Sequence, residues 1–259
     1  MTKNKKAQVP EINRSIAAAP KAAPEGTTPV EGTEKKASMS FDETLNKQEQ
    51  FFLKFRKQIL IAVAAVILVI VGVVVYKSFI AGPREDKAST ALAKAQDAFM
   101  QGDFKTALNG SKDMEGFLAV SDNYGGTDAA NLADAYAGLC YAQLGDWSNA
   151  VKYLEDFDTK SDAMISPAVE AALGNAYANT GDIDKAISTL KDAADMSDSR
   201  SENGLNNALS PTYLIQAARL LESQGKKSEA LDIYKEVKAK YVNSQASMDI
   251  DKYIERVQE

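Results

Sequence analysis

Four glycines set the plan of this chain. Gly102, Gly145, Gly181 and Gly225 lie 43, 36 and 44 residues apart, and the residues around them repeat. In "LGNAYANTGDIDKAISTL", Gly174 and Tyr177 precede Gly181, and Ala186 and Leu190 follow it. Gly138, Tyr141, Ala150 and Leu154 hold the same offsets around Gly145. Ala95, Ala98 and Ala107 repeat the plan around Gly102, and Ala218, Leu221, Ala230 and Tyr234 repeat it around Gly225. Each unit reads as a helix, a tight turn at glycine and a second helix. The small residues let the two helices approach, and large ones fill the space beside them. Glycine takes a positive φ without steric penalty and so ends the first helix. Asp103, Asp146 and Asp182 come next and are expected to cap the second helix. Ser166-Pro167 and Ser210-Pro211 stand equally far ahead of their glycines and mark helix starts, with Ser as N-cap and Pro in the first turn. One such hairpin cannot bury its apolar face, whereas three or more stacked hairpins can.

The units resemble tetratricopeptide repeats, whose period is about 34 residues. The 36-residue step is close to it, and the two longer steps imply insertions. One is expected to hold a lengthened second helix and the loop "NYGGTD", the other "SDSRSENG". The tail "ASMDIDKYIERVQE", apolar at Met248, Ile250, Tyr253, Ile254 and Val257, predicts a helix closing the stack. The predicted fold class is therefore all-α: an α-solenoid of tetratricopeptide-like helix pairs over residues 84–259, behind a single N-terminal transmembrane helix.

That transmembrane helix is read from "ILIAVAAVILVIVGVVVY", the 18 uncharged residues from Ile59 to Tyr76. As a helix they span about 27 Å, close to the hydrocarbon thickness of a bilayer. Val and Ile are weak helix formers in water, but in lipid the backbone must bond within its own segment. Ile59 lies too far along the chain for an ordinary cleaved signal peptide, and Phe79 is too bulky to precede a cut after Ala81. Residues 59–80 are thus expected to form an uncleaved anchor. Residues 41–58 are expected to form a juxtamembrane amphipathic helix, with Phe51, Phe52 and Phe55 beside Lys54, Arg56 and Lys57 as suits the interface. Residues 1–40 hold four of the seven prolines and no apolar period. They predict a disordered cytoplasmic tail, either plainly solvated or carrying a short peptide for a partner. Residues 1–58 carry 11 Lys and Arg against 7 Asp and Glu, and residues 77–259 carry 19 against 29. Close to the anchor the cations nearly balance: Lys47, Lys54, Arg56 and Lys57 against Lys77, Arg84 and Lys87. The basic excess of the tail tips its side to the cytoplasm and the repeats to the far side of the membrane, which in a Gram-negative bacterium is the periplasmic side of the inner membrane.

The residues exclude much chemistry. With no histidine, every His-based triad and His metal site is ruled out. Cys140 stands alone and reads as a buried small hydrophobe, so neither an intrachain disulfide nor a cysteine metal site is open. No phosphate-binding glycine loop occurs, and the acidic balance without a basic stripe argues against nucleic acid. The carboxylates are scattered, which leaves an enzyme with an unrecognised acid pair as a distant alternative. The expectation is no enzyme, no cofactor and no metal.

What remains is a surface. In tetratricopeptide repeats the first helix of each unit lines the concave side. This implies groove positions at Gln96 and Phe99, Leu139 and Gln143, Asn175 and Asn179, and Arg219 and Glu222. These positions either hold a bound peptide or merely solvate the groove. The Lys, Arg and Asn clamp with which some relatives grip acidic chaperone tails is absent, since Ala135 and Leu139 stand there. The layout also resembles the YfgM-type ancillary subunit of the bacterial Sec translocon over roughly residues 45–259. The resemblance rests on Phe51-Phe52, the single span, "GPREDKASTALAKAQDAFMQGDF" and "FLAVSDNYGGTDAANLADAYAGL". The Pro-containing tail departs from that family and is similar to Bacteroidetes-like versions. The resemblance implies a scaffold beside the translocon that meets translocon subunits, emerging chains or their chaperones. The alternative is a scaffold or receptor of a different envelope assembly or secretion machine.

Overall fold

The computed structural model describes the backbone of residues 34–259 and the side chains of residues 52–259. Most of the expected disordered tail, and the side chains that would make residues 41–51 amphipathic, lie outside the described residues. The chain divides after Leu68 into two units. In the first, helix α1 (Glu34–Tyr76) begins inside the stretch assigned to the tail. Beyond Pro29 that stretch holds no proline, and Glu, Lys and Ala favour helix. Among the described residues one helix is long and apolar enough to cross a membrane. Its large side chains stand exposed, Leu68 by 72% and Val69 by 65%.

The second unit carries the helix on from Val69. A π turn, Lys77–Ala81, follows α1 and leads directly into α2 (Gly82–Met100). The cause is local. Pro83 lacks an N–H and its ring would strike the carbonyl four residues back, so the helix widens by one residue ahead of it. The Gly82 N–H accordingly donates to the Lys77 carbonyl, five residues back.

Four helix pairs follow, the first with its second helix broken in two. The first is α2 with α3 (Phe104–Asn109) and α4 (Phe117–Asn123). Next come α5 (Asp128–Gln143) with α6 (Trp147–Glu155), and α7 (Ile165–Thr180) with α8 (Ile183–Ser199). Then α9 (Ser210–Ser223) pairs with α10 (Lys227–Lys240), and α11 (Ile250–Gln258) follows a 3-10 turn. All four turn glycines adopt positive φ, from +76° at Gly225 to +93° at Gly181. Asp103, Asp146 and Asp182 accept the backbone N–H of Thr106, Asn149 and Lys185, as the capping pattern requires. The small positions carry the close approach. Ala95, Ala107, Ala150, Ala186, Ala218 and Ala230 are fully buried. A Cβ on Gly138 would lie 2.6 Å from Leu154 Cγ, and one on Gly174 would lie 2.9 Å from Leu190 Cγ.

Three expectations are corrected. Neither Ser166 nor Ser210 is an N-cap. Ser166 lies in the first turn of α7, where the Asp162 carboxylate accepts the N–H of Met164, Ile165 and Ser166. Ahead of α9, Asn206 Oδ1 accepts the N–H of Ala208 and Leu209. The first insertion does not lengthen a helix. It breaks one: α3 stops at Asn109, and a bridge between Ser111 and Met114 turns the chain into α4. Gly110 makes this possible, because its φ is +81° and a Cβ there would sit 2.5 Å from the Met114 carbonyl. The lengthened second helix is α8. Met248 is 82% exposed in the 3-10 turn and does not pack, whereas Ile250 and Val257 are buried.

The second insertion is tied down by one carboxylate. Asp198, near the end of α8, has a side chain only 8% exposed. It accepts the Asn206 N–H at 2.7 Å, the Ser210 hydroxyl at 2.6 Å, the Tyr241 hydroxyl at 2.7 Å and the Lys240 ammonium at 2.7 Å. Burial pushes this carboxyl up, but these four donors outweigh burial and hold it below the usual carboxylate range. One residue thus joins α8, α9 and the end of α10.

Candidate protein-binding groove

The first helices of the pairs line an apolar groove of about 540 Å³. From α2 comes Gln96, and from α5 come Leu132, Ala135, Tyr136 and Leu139. Met164, with Ile165, Ala168 and Val169 of α7, forms the facing wall, and Leu209 closes the end at the start of α9. The helical period explains the α5 set, because residues three and four apart share a face. No charged side chain lines the groove. Met164 and Ile165 are 59% and 51% exposed, large apolar groups left without cover. Such a patch, with Gln96 and the Tyr136 hydroxyl as its hydrogen-bonding side chains, fits apolar side chains of another polypeptide.

The expected groove residues divide into four sets. Gln96 and Leu139 meet in this cavity. Phe99 lies beneath it. Its ring sits edge-on to Phe104 and Tyr136 with centroids 5.3 Å away in each case, and Tyr136 stacks on Phe117 at 5.0 Å. Phe99 therefore props the groove wall rather than facing a ligand. Gln143, Asn175, Asn179 and Arg219 are exposed. Asn175 donates to Gln216 of the next pair at 3.2 Å, and Asn179 donates to the Asn175 carbonyl at 2.8 Å. Arg219 lines a separate shallow hollow with Gln216, Asp249 and Tyr253. Glu222 has another task. It accepts the Tyr234 hydroxyl and a two-pronged contact from Arg256, at 3.0 and 2.6 Å, which docks α11 on α9. Burial opposes ionisation of Glu222, but Arg256 and Tyr234 prevail and hold its carboxyl low.

Sequence reasoning missed the facing wall. The signal was present: Ile165-Ser166-Pro167 and Leu209-Ser210-Pro211 place an apolar residue immediately before each Ser-Pro, and both apolar residues line the groove. Chemistry elsewhere is sparse. Cys140 is fully buried and burial pushes its thiol up to about 12. Among the described residues no three His, Cys, Asp or Glu side chains gather as a metal site.

The tetratricopeptide repeat matches residues 136–160, 171–199 and 213–244, which fall on the second, third and fourth helix pairs. Two crystal structures of nearly identical tetratricopeptide-like repeats from a putative kinesin light chain of Podosopora anserina share the fold. Each superposes with a TM-score of 0.52 at 14% identity and covers 67% of this chain. The shares covered of those chains are 85% and 86%. No curated protein sequence matches the chain. The fold is a tetratricopeptide-like solenoid, an architecture whose extended concave surface serves protein–protein interaction.

Proposed function

We propose that the chain is a single-span membrane scaffold whose groove between α2, α5 and α7 grips extended apolar segments of other proteins. The observation that carries this is the uncharged groove with Met164 and Ile165 more than half exposed on its wall. Gln96 bonds the backbone of the bound segment, and Asn175, Asn179 and Arg219 continue the polar row beyond it. By resemblance, the site of action is the periplasmic face of a bacterial inner membrane beside the Sec translocon, and the bound segments are emerging envelope proteins or surfaces of their chaperones. Co-purification with translocon subunits separates this from a scaffold of another envelope machine.

Replacing Met164 and Ile165 with Gln together removes apolar contact worth about 2–3 kcal/mol, or roughly 30- to 150-fold in affinity. Gln is a good helix former and both positions are exposed, so stability is expected to change by no more than about 0.5 kcal/mol. Fluorescence anisotropy with a labelled Leu-rich peptide, alongside thermal melting, measures both. Full binding by the folded double variant contradicts the groove assignment. Sidedness has its own test: protease added to cells with an opened outer membrane should digest residues 84–259 and spare the N-terminal tail. Protected repeats would place them in the cytoplasm and end the translocon-exit reading.

A further inference from the structure

The helix that leaves the apolar stretch is also the first helix of the repeats. From Val69 to Met100 the chain stays helical through the π turn, with no linker. Its exit is then clamped to the end of α4 and to the start of α5 in the second pair. Arg84 Nη2 donates to the Asn123 carbonyl at 3.2 Å. Glu85 accepts the N–H of Asp128 at 2.8 Å and of Ala129 at 2.9 Å, one with each carboxylate oxygen. Those are two of the free donors at the start of α5, where a carboxylate also meets the positive end of the helix dipole. Below the clamp, Ala88, Leu92 and Ala95 of α2 are buried in one core with Phe117, Val120 and Ala133.

The clamp fixes a height. Phe79 and Ile80, 76% and 57% exposed, are the last large apolar residues of the exit. Glu85 lies about 7 Å further along the helix. The headgroup layer is about 5–8 Å thick on each side of the hydrocarbon. The start of α5 and the turn before it therefore stand at headgroup depth. The turn itself, Asn123, Tyr124, Gly125 and Gly126, carries no charge, and its polar side chains are held from within, the Asn123 amide and the Tyr124 hydroxyl donating to Glu115 at 2.9 and 3.2 Å. Beside it the charge of Asp128 is met by Lys160 at 3.5 Å.

We infer that the α4–α5 turn, residues 123–126, is a membrane-contacting edge that rests among lipid headgroups, held there by the Arg84 and Glu85 clamp. This rests on the proposal that the apolar helix spans a bilayer. It also sets the reach of the groove. Gln96 lies about 21 Å along α2 from Gly82, a distance that an emerging extended chain covers in about six residues.

The test uses the full chain in phosphatidylcholine nanodiscs, with a fluorophore on single introduced cysteines. The buried Cys140 thiol stays unlabelled. Gly125→Cys is tolerated, since a Cβ there meets only the Ser121 carbonyl at 3.7 Å. Spin-labelled headgroups should remove most of the Gly125→Cys fluorescence. Ser148→Cys, beyond the far end of α5, should keep its signal. Spin-labelled acyl chains should quench Val71→Cys. A six-residue Gly-Ser insert between Ala81 and Gly82 should leave the melting transition in place and lower quenching at residue 125 to the Ser148 level. Quenching at Val71 without quenching at residue 125 overturns the edge and leaves the span standing. Equal quenching at residues 125 and 148, or quenching at 125 that survives the insert, overturns the clamped edge as well. No quenching at Val71 removes the span, and the edge with it.

Discussion

Replacing Asp198 with Ala is expected to destabilise the repeat domain by about 3 kcal/mol, roughly 6–12 °C in melting temperature for a domain of this size. The carboxylate is nearly buried and serves four donors from three elements. Its loss strands the Asn206 N–H and the Tyr241 hydroxyl, both in buried residues. Ser210 keeps the Ala194 carbonyl at 3.0 Å, and the half-exposed Lys240 turns to water, which is why the cost stays below that of a wholly buried ion pair. Removing only the hydroxyl, as in Tyr241→Phe, should cost about 1 kcal/mol.

Acid provides a second readout. The folded Asp198 carboxyl titrates below its unfolded value, so its contribution is complete above the unfolded value of about 3.9 and is lost as pH falls through the folded one. Asp162, also held low, acts in the same direction: burial opposes its ionisation, but the Ser166 hydroxyl and the N–H of Met164, Ser166 and Ile165 prevail. Asp134 and Glu170 act in the opposite direction, because burial pushes both up and ionising them costs stability. The gap between the natural chain and Asp198→Ala should therefore narrow when melts at neutral pH are repeated below pH 4. A gap that stays constant would mean that Asp198 acts by packing and not by charge.

Gly138→Leu is expected to cost about 3 kcal/mol or more by overpacking, enough to part α5 from α6. Its Cβ alone would lie 2.6 Å from Leu154 Cγ and 3.1 Å from the Leu154 backbone nitrogen, and a backbone atom cannot rotate away. Gly181→Ala is a useful contrast. There a Cβ meets nothing within 4 Å, but φ is +93°, so the cost of about 1–2 kcal/mol is backbone strain alone. Chemical denaturation of both variants separates the mechanisms, since a second substitution of Leu154 to Ala should relieve Gly138→Leu and leave Gly181→Ala unchanged. Failure of Leu154→Ala to relieve it would contradict the close contact of the two helices.

Local rules made the helix pairs legible. A positive-φ glycine, an aspartate behind it and a small residue on each facing helix act within one hairpin, and each can be recognised without knowing the rest of the chain. The helix starts were read less well. Ser-Pro marks a first turn, but the capping oxygens come from Asp162 and Asn206, because both serine hydroxyls are drawn toward carboxylates, Ser166 to the half-buried Asp162 and Ser210 to the buried Asp198. The interruption at Gly110 was hidden, since a lengthened helix and a broken one fill the same number of residues. The groove was half legible. Gln96 and Leu139 follow from the face of a first helix, whereas Met164, Ile165 and Leu209 reach it only because successive pairs rotate against one another. Glu222 and Phe99 sit on the expected face, but long-range partners, Arg256 and the aromatic cluster, occupy them.

The most direct measurement is photo-crosslinking in living cells from a photoreactive phenylalanine analogue placed in turn at Leu139, at Ala168 and at Ser188 on the exposed side of α8. Groove occupancy by extended apolar segments predicts adducts with other proteins from Leu139 and Ala168, lost when Met164→Gln and Ile165→Gln are added, and none from Ser188. Adducts from Ser188 alone, in a protein that melts like the natural chain, would contradict it.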